Sequence, residues 1–484
     1  MAETSETPAR TQDYVERDRA CMGPTARIPY YDLVVDHARG ALLYDVDGNE
    51  YIDLLAAATS ANVGHSHPAV VEAVCGQAQK VIQCSPAYFY HAPEVELVEK
   101  LAAIAPGDTP KKVVFGTSGS DANDAIIKFA RAYTGRPYVV SFLGAYHGST
   151  YGSMTLSALS LGMRRKMGPM LPGIYHIPYP DVQSAGVGHL SEPEQAEHFM
   201  RPLREMCETY LPADEIACIV MEPIAGDAGI IVPPQAYVDA LVAFCREHGI
   251  LFAVDEINQG MGRTGKWWGI EQFGVEPDLM SVGKSLASGL PLSAIVGKAD
   301  IMDSLSFPAH IFTTSGNPVC CAAALATIDV IEREGLLARG AELGAYAKER
   351  FEDMAARHAI VGGVHGIGLN LGIDIVRPET GEKCALDALK VVYRAFEEGV
   401  VIICMAESVL RFHTVPSPLP ALPAAARHRA RAAGPRARRA RPRDRRGGGR
   451  ARARQHRARG QGLVEAPLPV FRRAGSRFSL YGVC

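Results

Sequence analysis

Two charged side chains in this sequence stand where apolar runs of strand length stop. Asp255 closes the run ILFAVD, and Lys284 follows LMSV within PDLMSVGKSLASG. In an open α/β sheet, ligands bind outside the carboxyl ends of the strands. An Asp and a Lys one element apart at such ends suit pyridoxal phosphate. The Lys amine forms a Schiff base with the cofactor aldehyde, and the Asp keeps the pyridine nitrogen protonated so that the ring accepts electrons. Each residue also has an ordinary reading, Asp255 as a helix cap and Lys284 as a solvated charge. A third feature raises the cofactor reading. Val113 to Phe115 has strand character and is followed by GTSGSDAN and a helix. Gly119 and Ser120 at that helix start would offer backbone N–H groups and a hydroxyl to a phosphate. A Gly/Ser turn before a capped helix has the same composition. Tyr146 in GAYHGST can stack on a flat ring or fill a core.

The elements that must position these residues alternate along the chain. Residues 216–221 (IACIVM) and 250–254 (ILFAV) read as strands, and residues 237–248 (YVDALVAFCREH) read as a helix stopped by Gly249. Strand, helix and strand within about 40 residues form a βαβ unit, which implies a parallel sheet with helices on its faces. Residues 123–133 place Ile126, Ile127, Phe129, Ala130 and Tyr133 on one helical face. At 484 residues, 47% of them hydrophobic and 21% charged, the chain carries enough apolar side chains for a sizeable core and is not a disordered polymer. No apolar run approaches the roughly 18 residues of a membrane span, and the polar first twenty residues contain no signal-peptide core. Eleven scattered cysteines without C-x-x-C spacing fit a reduced, cytoplasmic setting.

Charge divides the chain. Residues 1–413 carry a net -19 and residues 414–484 a net +16, the latter from 18 Arg against Asp444 and Glu465. The segment 421–460 is nearly all Ala, Arg, Pro and Gly and has no hydrophobic period, so it is expected to be disordered. It is either a basic arm for an anionic partner such as nucleic acid or the translation of a shifted frame in GC-rich DNA. Two other patterns carry little. Gly260, Gly262 and Gly265 spell G-x-G-x-x-G, but do not directly follow a strand and open a helix as a dinucleotide site requires. His65 and His67 have no third ligand at metal spacing, and no metal is expected.

Taken in order, SGSDAN, YHG, MEPIAGDAG, DEINQGMGRTG, SVGKSLASG, TTSGNP and LRF resemble the class III aminotransferase family of pyridoxal-phosphate enzymes over roughly Ala26 to His413. The variants SGSDANDAIIKFARAYTGR and YHGSTYGS are most similar to its isoleucine 2-epimerase branch. The resemblance implies the α/β architecture of fold type I: a large domain with a mostly parallel sheet between helices, and a smaller α+β domain. The expected division is residues 1–64 with 320–413 in the small domain, residues 65–319 in the large one, and 414–484 as a tail.

The same resemblance implies roles residue by residue. Lys284 matches the Schiff-base lysine, Asp255 the pyridinium partner, Gly119 and Ser120 the phosphate turn, and Tyr146 the stacked aromatic. Thr313 matches a threonine that reaches the phosphate of a neighbouring subunit, which implies a homodimer with shared sites. Arg411 matches the arginine for the substrate carboxylate. Glu222 matches a glutamate that in many relatives pairs with an active-site arginine. Asn258 stands where most members carry Gln to contact the ring hydroxyl, and Gln259 or water is expected to restore that contact. Ser149 replaces an arginine that takes a second carboxylate in relatives acting on dicarboxylates, which argues for a monocarboxylate substrate. Finally, the family ending R-F-x-P-P-L and its closing helix are replaced after Arg411. Loss of that helix is expected to expose Val400 to Met405.

Transamination and inversion at Cα share a first half, in which the amine of Lys284 removes the Cα proton. Inversion then needs a second acid/base, and Asp227, the titratable side chain of the loop EPIAGDAG, is the candidate. The expected activity is racemisation or 2-epimerisation of non-polar amino acids such as isoleucine, through a Schiff base on Lys284 and a carbanion delocalised into the cofactor. The alternative is an aminotransferase, and a remote one is nucleic-acid binding through the tail.

Overall fold

The computed structural model of the chain describes residues 10–28, 30–406 and 408–416. Its strands, in chain order, are β1 (Val35–Arg39), β2 (Leu42–Asp45), β3 (Glu50–Asp53), β4 (Lys111–Gly116), β5 (Tyr138–Phe142), β6 (Ile174–Ile177), β7 (Ile216–Met221), β8 (Leu251–Asp255), β9 (Leu279–Val282) and β10 (Ser293–Lys298). They continue with β11 (Val361–Ile367), β12 (Asn370–Ile375), β13 (Val400–Val401), β14 (Ile403–Met405) and β15 (Val409–Phe412). Seven of them form one sheet in the order β4-β10-β9-β8-β7-β5-β6. All its pairings are parallel except those of β10, which runs antiparallel to β4 and β9.

Helices cover both faces of this sheet, so its central strands read as unbroken apolar runs. Every residue of β7, β8 and β9 is buried. One face packs Leu203, Tyr237, Leu241 and Trp268, and the other Ile126, Phe129, Leu156 and Ile301. The helix Gly119–Thr134 opens at the expected Gly119, four residues before the hydrophobic period of residues 123–133 begins. Ser118 and Asp121 form a reciprocal capping box there, which satisfies backbone donors that periodicity alone does not register. The helix Gln235–His248 ends as expected at Gly249, whose φ of 62° is left-handed. Ile250 donates its N–H to the Cys245 carbonyl as part of that cap, so β8 starts one residue later than the apolar run.

Two smaller sheets flank the large one. β1, β2 and β3 join β13, with Val400 and Val401 parallel to Ile52 and Asp53. β11, β12, β15 and β14 form the other, in which Arg411 on β15 lies opposite Gly372 and Ile403. The expected exposure of residues 400–405 is not found. Val401, Ile402 and Cys404 are buried, and Ile402 and Cys404 pack with Ala388 and Val392 of the helix Ala385–Glu397. That helix, drawn from the chain before Arg411, already supplies the apolar cover.

The start of the expected tail also differs. Val415 is buried against Ala41 and Ala56, Arg263 donates to the Thr414 carbonyl, and Arg339 Nε donates to the Pro416 carbonyl at 2.6 Å. The carbonyls of Thr414 and Pro416, held by the buried Arg263 and the more exposed Arg339, tie residues 414–416 to the body. The remainder of the Arg-rich segment, and its expected disorder, lie outside the described residues. Among the described residues no helix is long and apolar enough to cross a membrane.

Candidate functional site

The carboxyl ends of the parallel strands deliver the chemistry to one edge of the large sheet. β4 leads to Gly119 and Ser120, β5 to Tyr146, β7 to Glu222 and Asp227, β8 to Asp255 and Asn258, and β9 to Lys284. Ladder register brings these ends level: Met221 pairs with Val254, and Asp255 with Ser281.

Asp255 is buried and fully engaged. Its Oδ2 accepts from Asn123 Nδ2 and from His147 Nδ1, each at 2.8 Å, and its Oδ1 accepts the Ile257 N–H at 3.0 Å. Asn123 also donates to the His147 carbonyl at 2.7 Å and accepts from Ser281 Oγ at 2.8 Å. Burial disfavours protonated His147, but the hydrogen bond and charge of Asp255 outweigh it and raise its pKa above the ordinary histidine value. Neither Asn123 nor His147 was singled out from the sequence. Both lie inside quoted motifs, SGSDAN and YHG, and a polar side chain on an otherwise apolar face was the available signal for Asn123.

Lys284 has a φ of 45°, in the left-handed region, at the turn directly after β9 and Gly283. A non-glycine residue held there carries strain of roughly 1–3 kcal/mol, of the kind that clusters at active sites. Its amine makes no hydrogen bond or ion pair among the described residues. Burial lowers its pKa, and the positive charge of Arg411 lowers it further; Asp227, Asp255 and Glu222 oppose the shift. A lysine so placed yields a neutral, nucleophilic amine more readily than one in water.

The loop after β7 carries two carboxylates with different partners. Glu222 accepts the N–H of Tyr146 at 3.1 Å and of Gly226 at 2.8 Å, and burial raises its pKa to about 7. Among the described residues it makes no salt bridge to an arginine. Asp227 takes that part, accepting from Arg411 Nη1 at 3.0 Å. Arg411 is buried, which lowers its pKa against the pull of Asp227, and its Nη2 has no hydrogen-bond partner. Its Nη1 also approaches Met405 Sδ at 2.8 Å, and its Nε faces the ring of His413.

Tyr146 is 36% exposed, with its hydroxyl 3.2 Å from Ser149 Oγ. Ser120 Oγ accepts the Ser149 N–H at 3.0 Å. Asn258 is buried beside Gly226, and its Oδ1 has no partner. Gln259 does not stand in for it. Its amide is committed to the Ile224 carbonyl and to Asn370, so the expected substitution of Gln259 for Asn258 is not seen. Thr313 lies on an exposed loop where its carbonyl accepts from Gln83 Nε2 at 2.8 Å, and no hydrogen bond links it to the other candidates. His65 pairs with Asp53 and His67 caps the helix Pro68–Lys80. No group of metal-ligating side chains occurs among the described residues.

These residues fit pyridoxal phosphate. The site holds an unpaired amine, an oriented carboxylate at a strand end and a buried amide oxygen without a donor. Its helix N-terminus is approached so closely that a Cβ on Gly119 would lie 2.5 Å from Ile257 Cδ1. A cofactor carrying an aldehyde, a ring nitrogen and a phosphate matches that donor set.

Comparison with known proteins agrees with this chemistry. The family model described as Aminotransferase class-III matches residues 25–417. The chain is 58% identical over 400 residues to isoleucine 2-epimerase of Lentilactobacillus buchneri, covering 82% of this chain and 89% of that protein. It is 42% identical over 403 residues to leucine/methionine racemase of Thermococcus litoralis, covering 83% and 90%. Among solved structures it is similar to the omega transaminase from Pseudomonas jessenii in complex with PMP, with a TM-score of 0.76 and 28% identity over 80% of this chain and 89% of that one.

Proposed function

The chain belongs to the class III aminotransferase family, and from that premise we propose that it inverts Cα of non-polar amino acids such as isoleucine, using pyridoxal phosphate. The observation that carries this reading is the meeting of two proton carriers, Lys284 and Asp227, beside one buried arginine, Arg411. The similarity to an isoleucine 2-epimerase and a leucine/methionine racemase supports the same choice.

In this reading Asp255 would face the ring nitrogen, the N–H groups of Gly119 and Ser120 the phosphate, Tyr146 the ring face, Asn258 the ring hydroxyl, and Lys284 the aldehyde. When bound, pyridoxal phosphate supplies an electron sink for the pair left at Cα. Arg411 binds the substrate carboxylate, for which its planar fork is suited. Lys284 Nζ removes the Cα proton, and its lowered pKa makes the neutral base available. Asp227, whose side chain is partly open to solvent, takes up a proton from water once substrate binds and delivers it to Cα, while Lys284 keeps the proton it removed. Before substrate arrives the negative charge of Asp227 is held by Arg411, and the incoming carboxylate competes for that guanidinium. Asp255, fixed by Asn123, His147 and the Ile257 N–H, holds its proton-bearing partner without rearranging. Ser149 brings no positive charge for a second carboxylate, which favours a monocarboxylate.

Thr313, on its exposed loop, serves a neighbouring subunit in a homodimer. Residues 1–64 with 320–413 act as the smaller domain beside 65–319. None of the ten described cysteines is in a disulfide, in keeping with a cytoplasmic setting.

A second reading, amino transfer to a keto acid, is favoured by the likeness to an omega transaminase, since Lys284 alone can then move the proton. Incubation with L-isoleucine in deuterated water without a keto acid separates the two. Deuterium at Cα together with D-allo-isoleucine supports inversion. No inversion there, with accumulation of 3-methyl-2-oxopentanoate in proportion to amino acid consumed once a keto acid is added to accept the amino group, overturns it in favour of transfer.

A further inference from the structure

The loop that carries Asp227 is gripped at two points by one face of a single sheet. Ala225 and Ile231 exchange N–H to carbonyl hydrogen bonds at 3.0 Å, and the N–H groups of Gly229 and Ile230 both donate to the Gly226 carbonyl at 3.1 Å. Residues 225–231 thus close into one turn, and a displacement at one end is passed to the other. Ile230 within it is buried and has a φ of 61°. A β-branched residue is an outlier in that left-handed region, and such a conformation persists only where the surrounding structure over-determines it. The sheet of β11, β12, β15 and β14 provides those surroundings. His365 on β11, Gly372 on β12 and Arg411 on β15 stand directly opposite one another, and residues so paired share a face. A Cβ on Gly372 would lie 2.6 Å from His365 Cε1, so the imidazole rests over that glycine. Along this face Arg411 Nη1 holds Asp227 at 3.0 Å, Val409 packs against Gly229, and His365 Nδ1 lies 3.0 Å from the Ile230 carbonyl oxygen. That carbonyl can only accept, so Nδ1 carries the hydrogen. The other ring nitrogen, Nε2, lies 3.3 Å from Oδ1 of the buried Asp374.

We propose that His365 is a positioning residue for Asp227: by donating to the Ile230 carbonyl it pins the far end of the 225–231 turn and keeps the Asp227 carboxylate in place when substrate enters. The Asp227–Arg411 contact cannot do this alone, because the incoming carboxylate competes for the same guanidinium and Asp227 then gives up the partner that placed it. The hydrogen bond from His365 is made to backbone, involves no ligand and survives that exchange. Without it Ile230 is free to leave its left-handed conformation, and the closed turn carries Asp227 along with it. The proposal rests on the reading of Asp227 as the second acid/base.

Turnover of L-isoleucine in deuterated water tells the two proton carriers apart. Deuterium at Cα of recovered L-isoleucine reports Lys284, whose solvent-exchanged amine returns a deuteron to the face it took the proton from, and D-allo-isoleucine reports Asp227. His365→Leu is expected to lower the ratio of inversion to exchange about tenfold and to leave exchange within about twofold, as when one reacting group is misplaced and the other is not. His365→Asn, whose Nδ2 falls where the ring has Nδ1, should bring the ratio back to within about threefold. His365→Gln, whose amide falls at Nε2 on the Asp374 side, should not, and it carries the test if the Leu variant does not fold. On the full chain without substrate, amide hydrogen exchange over residues 225–231 should quicken about tenfold in the Leu and Gln variants while β12 keeps its protection. Inversion and exchange falling together, or a ratio unchanged in both His365→Leu and His365→Gln, overturns the proposal. Asp227→Asn separates the levels. If it inverts L-isoleucine like the unaltered chain, the acid/base reading of Asp227 falls and His365 with it. If it loses inversion while the Leu and Gln variants keep it, only the role of His365 falls.

Discussion

The floor of the site and its wall are built differently. On the floor, Asp255 has its hydrogen bonds from Asn123, His147 and the Ile257 backbone, and Asn123 is itself held by Ser281. On the wall, Arg411 Nη2 and Asn258 Oδ1 are buried without partners, and the Asp227–Arg411 pair is held through a single oxygen. A group saturated by its own chain is already oriented when charge develops, and such preorganisation accounts for much of electrostatic catalysis. Groups left unsatisfied are the ones a ligand completes, since a buried donor without a partner costs about 1–3 kcal/mol. The contrast thus assigns preorganised charge to the floor and ligand recognition to the unsatisfied groups of the wall, where Asp227 adds the movement of a proton.

Lys284 links the two, and its replacement should have the largest effect. Lys284→Ala is expected to abolish turnover of L-isoleucine, and borohydride treatment of the unaltered enzyme should fix pyridoxal phosphate to Lys284. An adduct mapped to another lysine breaks the assignment. Next in size comes the floor itself. Asp255→Asn should retain a visible absorbance band from the cofactor but lower kcat by roughly 10²–10³-fold, as when a preorganised charge partner is removed. A loss confined to KM would place Asp255 with the wall instead.

Asp227→Asn sharpens the other side. Epimer formation should fall by about 10²-fold, within the range of general acid–base catalysis, while cofactor binding measured by absorbance changes little. Parallel loss of both returns Asp227 to a structural role. The smallest effect is on stability. Burial raises the pKa of Glu256 to about 8 and that of Glu222 to about 7, from ordinary values of 4.5. A raised folded pKa means that the native state binds the proton more tightly, so this stabilisation is full below pH 4.5 and disappears as pH rises through 7 and 8. The buried histidines His176 and His413, with lowered pKa values, act in the opposite sense only below about pH 6.5. From pH 6.5 to 8 the raised carboxylates, joined by His147 with its raised pKa, therefore all lose stabilisation as pH rises. The melting temperature should drop across that window by the equivalent of about 2 kcal/mol, and Glu256→Gln should flatten the drop. A rise over that window would contradict the buried, protonated state of these groups.

Much of the floor was readable in advance because its residues follow a one-dimensional rule. A strand-length apolar run that ends in Asp or leads into Gly-Lys places that residue at the edge of a parallel sheet, and β7, β8 and β9 fall where the runs of IACIVM, ILFAVD and LMSV indicated. The helix was anticipated to open at Gly119, as it does, although its hydrophobic period was readable only over residues 123–133, since the capping box of the first turn is made by side-chain hydrogen bonds that periodicity does not contain. The wall was less readable. Arg411 was assigned by likeness alone, Glu222 was matched to a glutamate that in many relatives pairs with an arginine, and Gln259 or water was expected to restore the ring-hydroxyl contact at Asn258. In the fold Asp227 holds the arginine, while Gln259 turns away to Ile224 and Asn370.

By itself, then, the sequence determined the parallel α/β layering, the strand-end places of Asp255 and Lys284, the glycine-opened helix from residue 119, and the motif order that marks the family. Each of these depends on local period, chain direction or composition within a few tens of residues. Only the tertiary structure decided which of two nearby carboxylates meets Arg411, that His147 and Asn123 converge on Asp255 from 108 and 132 residues away, and that Asn370 stands between His413 and Gln259 in hydrogen-bond contact with both. The physical reason is that a hydrogen-bond partner is chosen by distance and direction in space. Chain segments far apart in sequence meet only once β5, β7 and β8 are in register and β15 has been laid beside them.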